Sequence, residues 1–161
     1  MKKVKLIAAI VVVIVIFFFA LKNCSQDEVG DVSLGLFTTQ DIKINILVDP
    51  IVTGVTCHVA SIEADLSFSD PSDSSIACRQ TGEITPAMIS QIDKSASGNV
   101  VFKKSKSIFF KTMKIRRIFD ADNQTLMYIS YSTKETSGSF KHSLSTVPLW
   151  GSKAYQTTAT K

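Results

Sequence analysis

The stretch Ser107–Ser132, SIFFKTMKIRRIFDADNQTLMYISYS, reads as two β-strands joined by a polar turn. Successive side chains of a strand point to opposite faces, so one parity can line a core while the other meets water. Phe109, Met113, Ile115 and Phe119 share one parity, and after the turn so do Met127, Ile129 and Tyr131. These residues are expected to face inward. Asp120-Ala121-Asp122-Asn123-Gln124 supplies the turn, because Asp and Asn bond their own backbone and tolerate left-handed geometry. Arg117 shares the inward parity with Ile115 and Phe119. A buried guanidinium needs a partner. Asp49 is the expected one, in a structural ion pair, and the alternative is a small anionic ligand bound at Arg117.

Outward from this hairpin the chain offers further short strands. In Asp41–Asp49, DIKINILVD, the alternation places Ile42, Ile44, Ile46 and Val48 inward, with Lys43 and Asn45 outward. Pro50 ends that strand, since proline cannot donate to a ladder. Gly54 allows a tight bend into a strand carrying Cys57 that runs to about Ile62. A second strand carries Cys78, and others are expected at Val32–Thr38 and from Val100 to Lys103. Thr85-Pro86 reads as an N-cap followed by proline at the first helical position. The short helix Ala87–Asp93 should pack Met88, Ile89 and Ile92 on the sheet. Val147, Leu149 and Trp150 are expected to dock on the body, and the tail beyond Tyr155 to be loose. Several short strands with turn signals predict a mainly β domain, an antiparallel sandwich or open barrel with one or two short helices.

The N-terminus is different. Leu6–Leu21 is unbroken apolar sequence behind Lys2, Lys3 and Lys5, the layout of an export signal. Ala20 lies among Phe17, Phe18, Phe19, Leu21 and Lys22, which makes a poor cleavage site. An uncleaved anchor is therefore expected: an N-terminal transmembrane helix within residues 1–22, spanning the inner membrane through residues 4–21. A tether (23–31), a β domain (32–150) and a flexible tail (151–161) would follow it. The lysine balance puts everything beyond Lys22 outside the cytoplasm, so the domain is expected to be periplasmic and membrane-tethered. The alternatives are release after signal cleavage and a lipoprotein modified at Cys24, although Lys22-Asn23 is not the small-residue approach such a site wants.

The formal charge of +4 arises wholly from Lys2, Lys3, Lys5 and Lys22; the remainder is neutral. Within it, Asp27–Asp93 holds 11 acids against Lys43 and Arg79, while Lys94–Arg117 holds eight bases and no acid. The simplest outcome is attraction across the fold. Binding of anionic lipid or glycan by the basic segment is the sharper reading. A neutral exported domain argues against nucleic acid.

Cys57 shares parity with Val55 and Val59, and Cys78 with Ile76, so both thiols face the apolar side. In an oxidising compartment a Cys57–Cys78 disulfide is expected. Two cysteines without a nearby histidine pair are too few for zinc. His58 projects opposite to Cys57 and cannot serve it as a base. No G-x-S-x-G elbow accompanies the serines, and Asp120/Asp122 departs from a calcium loop at Gln124, Thr125 and Tyr131. No catalytic residue, metal site or cofactor is assigned, and the chain is read as a non-enzyme.

Three stretches, DPIVTGVTCHVA (49–60), FKKSKSIFFKTMKIRRIFDADNQTLMYISYS (102–132) and SGSFKHSLSTVPL (137–149), together with IACRQ (76–80), resemble the CreA family of small exported bacterial proteins. Cys57 and Cys78 stand at matching positions. Phe140 departs from the proline usual there, and the leader lacks the family's cleavage site. The resemblance implies an exported domain without an established activity, and it transfers no catalytic residue. The reading is therefore a non-catalytic cell-envelope protein that binds a protein or another envelope component, with small-anion binding through Arg117 as the alternative.

Overall fold

The computed structural model describes residues 28–35, 40–64, 74–105, 112–133 and 140–157. The expected anchor, the tether up to residue 27, Cys24 and Phe109 lie outside these residues. No helix among the described residues is long and apolar enough to cross a membrane.

Eight strands and one short helix follow in order: β1 (Glu28–Ser33), β2 (Gln40–Val48), β3 (Val55–Ala64), β4 (Ser74–Gln80), α1 (Pro86–Gln91), β5 (Asn99–Ser105), β6 (Thr112–Asp120), β7 (Thr125–Ser132) and β8 (His142–Pro148). They form two antiparallel four-stranded meanders, β1-β2-β3-β4 and β5-β6-β7-β8. The mainly β, antiparallel expectation is met. The first strand lies earlier than the sequence suggests, and β8 was not anticipated. Its segment, HSLSTVP, is too rich in small polar residues to announce a strand.

The inner faces of the two sheets share one core. Val55, Cys57 and Val59 of β3 and Ile76 of β4 meet Met113, Ile115, Leu126, Tyr128 and Val147 of the second sheet. Two strands present the opposite parity from that expected. On β2, Leu47 pairs with Cys57 and Asn45 with Val59, so the odd residues face inward. Asn45 is buried and Val48 is exposed. The isoleucines 42, 44 and 46 therefore lie on the outer face. On β7, Leu126, Tyr128, Ser130 and Ser132 are buried, while Met127, Ile129 and Tyr131 are half-buried outside. A one-residue change of register exchanges the two faces of a strand. Here the inward residues are chosen by polar partners that apolar counting overlooks.

The two sheets also meet along β4 and β8. The amides of Ile76 and Cys78 donate to the hydroxyls of Ser143 (3.4 Å) and Ser145 (2.8 Å). Both pairs advance together, so β4 and β8 run side by side in the same direction. Ser74 and Ser130 face each other at 3.4 Å nearby. Side-chain hydroxyls thus satisfy part of an edge that would otherwise present open donors.

At one end the chain closes over the core. Thr85 caps α1, its hydroxyl accepting from the Met88 amide at 3.3 Å, and Pro86 opens the helix. Ile89 and Ile92 are buried and Met88 packs against the core. Gly98 has φ +56°, and a Cβ there would collide with the Arg117 carbonyl. Only glycine lets β5 start this close to β6. Val147 and Leu149 dock as expected. Trp150 does not: it is 73% exposed and meets Tyr155 edge to face at 5.0 Å. The packed chain continues past it. Ala154 is buried, and Gln156 exchanges two hydrogen bonds with the Gln124 side chain.

Candidate functional site

Asp49 follows β2 directly, and its parity carries the carboxylate inward. The turn Pro50–Gly54 winds around it. One oxygen, Oδ1, accepts from the amides of Ile51 (2.9 Å) and Val52 (2.8 Å). The same oxygen accepts from Arg117 Nη1 on β6. The other, Oδ2, accepts from the Tyr128 hydroxyl on β7 at 2.8 Å. Arg117 and Tyr128 are direct cross-strand partners. One carboxylate of the first sheet therefore clamps two adjacent strands of the second. Arg117 is 1% exposed, Asp49 1% and Tyr128 0%.

The Arg117–Asp49 pair joins residues 68 apart in the chain. The Asp49 charge is matched by Arg117 and by three further hydrogen bonds, whereas Arg117 Nη2 is buried with no hydrogen-bond partner among the described residues. Tyr128 was not singled out in the sequence. The alternation puts Met127, Ile129 and Tyr131 inward and so Tyr128 outward; its place opposite Arg117 follows only from the register of β6 on β7.

Burial, then the Asp49 carboxylate, hold the Tyr128 phenol well above its ordinary pKa. The fold thus favours the neutral phenol. The unfolded chain releases this proton near pH 10. Stability from this source is complete below about pH 10 and is lost above it, by up to about 1.4 kcal/mol per pH unit. Urea midpoints measured from pH 8 to 11.5 should fall more steeply for the native chain than for Tyr128→Phe. Parallel alkaline limbs would show that the phenol does not titrate against the fold.

Cys57 and Cys78 are cross-strand partners on β3 and β4 and form a disulfide. His58 pairs with Ala77 on the other side of the strand. Asp120 is engaged in its own turn, accepting from the amide (3.1 Å) and side chain (2.7 Å) of Asn123. These bonds hold its carboxyl below the usual range. Arg116 points outward from Arg117. Its Nη1 donates to the carbonyls of Ser97 (2.7 Å) and Gly98 (3.2 Å), and its Nε to the Tyr131 hydroxyl (3.2 Å). Of the expected attraction between the acidic half and the basic segment, the Asp49–Arg117 pair is the buried part. Lys43, on the acidic side, instead pairs locally with Glu28 (3.2 Å) and Asp31 of β1.

Two four-stranded sheets, stapled within one by a disulfide and pinned to each other by a buried Asp–Arg–Tyr cluster, make up this antiparallel β domain. The chain belongs to the CreA family, whose model ("CreA protein") matches residues 29–152. Protein CreA of Escherichia coli K12 is 39% identical over 109 residues, covering 63% of this chain and 68% of that protein. The Protein CreA sequences of Escherichia coli O6:H1 and O157:H7 match to the same degree. No solved structure matches the chain.

Proposed function

We propose that this chain is a non-catalytic binding domain of the cell envelope, held at the inner membrane through residues 4–21, whose folded body faces the periplasm and docks another envelope protein. The observation that carries this reading is the outer face of the first sheet. Val32, Ile42, Ile44, Ile46, Val48 and Ile62 lie together there through the pairings Val32–Ile42–Ile62, Ile44–Ala60 and Val48–Thr56. Val32 and Val48 are about half exposed. No carboxylate shares this face among the described side chains, although the segment that builds it is strongly acidic. An apolar sheet face of this kind marks an interaction surface in soluble domains. The disulfide suits an oxidising compartment, and the apolar run Leu6–Leu21 suits an anchor.

The alternative, a module binding a small anion through Arg117, is the weaker reading: Nη2 lacks a partner among the described residues, but the guanidinium is 1% exposed and its charge is paired with Asp49. The test of the leading reading is photo-crosslinking in living cells. A photoreactive residue at Ile46 or Val48 should yield one defined protein adduct that the same probe at exposed Lys153 does not. Identical adduct patterns at all three positions, or adducts to lipid or to this chain alone, would reject it.

A further inference from the structure

The outer face of the second sheet differs in chemistry from that of the first. Lys103 of β5 lies directly opposite Lys114 of β6. Lys114 lies opposite Tyr131, and Tyr131 opposite His142. Cross-strand partners project to the same side, and Ile115, next to Lys114, is fully buried. The whole row Lys103–Lys114–Tyr131–His142 therefore faces outward. The adjacent row is Val100–Arg116–Ile129–Leu144. Leu144 is 57% exposed, Phe140 52% and Val100 41%.

Two lysines directly opposite each other on neighbouring strands repel and weaken the sheet. No carboxylate lies within ion-pair distance of either among the described residues; Asp93 is engaged by the Ser95 amide at 2.8 Å. Arg116 is itself fixed in place by Ser97, Gly98 and Tyr131, so its charge is presented in one position. A fold keeps such a row at a cost that a bound anion would remove. The large apolar side chains beside it exclude a purely ionic partner as the best fit, because nothing then covers Leu144, Phe140 and Val100.

We propose that this face rests on an anionic phospholipid bilayer, with Lys103, Lys114 and Arg116 meeting headgroup phosphates and Leu144 and Phe140 entering the boundary below them. Cationic side chains among apolar ones are what an interfacial site requires. The proposal rests on the membrane-tethered reading above. Six residues, 22–27, separate the apolar run from β1, a reach of about 20 Å when extended, which keeps the body close to the surface. Sheet two would then face lipid while sheet one faces outward.

The test uses the full chain with Cys24→Ser and Leu144→Cys, spin-labelled at residue 144, in nanodiscs. In discs containing phosphatidylglycerol the label should be shielded from aqueous relaxant and accessible to oxygen. In pure phosphatidylcholine, and in Lys103→Glu/Lys114→Glu, it should read as aqueous. Aqueous exposure in both lipids would overturn the proposal. So would insertion unaffected by the lysines, or dipolar broadening from a second copy. Retention of the chain in neutral discs reports the anchor separately. Were that retention absent, salt-sensitive flotation with phosphatidylglycerol vesicles would still support this face, and its absence would reject it. Lys114→Glu replaces a like pair by an opposite one. It should weaken vesicle binding at least about five-fold while raising Tm by about 2–4 °C. A fall in Tm would refute the like-charge argument.

Discussion

Asp49→Ala is expected to be among the most damaging single substitutions in this domain, costing about 3–5 kcal/mol. The change leaves the Arg117 guanidinium buried without its counter-charge and the Tyr128 hydroxyl without its acceptor. It also releases the amides of Ile51 and Val52 that shape the turn. Small domains have about 5–15 kcal/mol in total, so the variant should lose a large share of the stability and show a much lower urea midpoint. Urea denaturation followed by circular dichroism is the measurement. Arg117→Met should cost less, because the carboxylate retains the phenol and two amides. The double variant should cost less than the two single losses added together, since both remove one shared interaction. A loss below about 1 kcal/mol for Asp49→Ala would mean that the site is wet rather than buried.

The second large effect concerns the staple. Cys57 and Cys78 are 21 residues apart, and their bond closes the β3–β4 hairpin. By the chain-entropy estimate this contributes roughly 3 kcal/mol. Cys57→Ala/Cys78→Ala, or reduction of the native chain, should lower the urea midpoint by a corresponding amount. The two routes should agree, which separates loss of the covalent link from loss of packing at Cys57. Peptide mapping without reductant should return the two segments joined. Free thiols in the protein isolated from cells would remove the basis for this expectation. Cys57 is fully buried and Cys78 partly so, which leaves the Cys78 sulfur as the more open point of attack for a reductant.

The fold class was legible because alternation, turn residues and the Thr85-Pro86 cap are local signals. The ion pair between Asp49 and Arg117 followed from one argument, that a charge on an inward parity needs a partner. That same argument contained the correction to β2. If Asp49 points inward, so must Leu47 and Asn45, and the isoleucines must point out. Apolar counting chose the other parity because it ranked Ile42, Ile44 and Ile46 above a single carboxylate. β7 repeats the lesson. Tyr128 and Ser130 are inside because Asp49 and β4 offer them partners, and those partners are distant in sequence. β8 escaped notice for the same reason, since Ser143 and Ser145 are strand residues whose reward lies on another sheet. The outward lysine row became visible only once the register of β5 on β6 was known.

The hydroxyl contacts between β4 and β8 have a mechanical consequence. A backbone ladder shares load across many aligned bonds, whereas these contacts occur at alternate residues and hang on rotatable side chains. A force that separates the two sheets would load these side-chain contacts together with the Asp49–Arg117–Tyr128 cluster. The sheets could part there as intact plates, with the disulfide keeping β3 and β4 together on one of them.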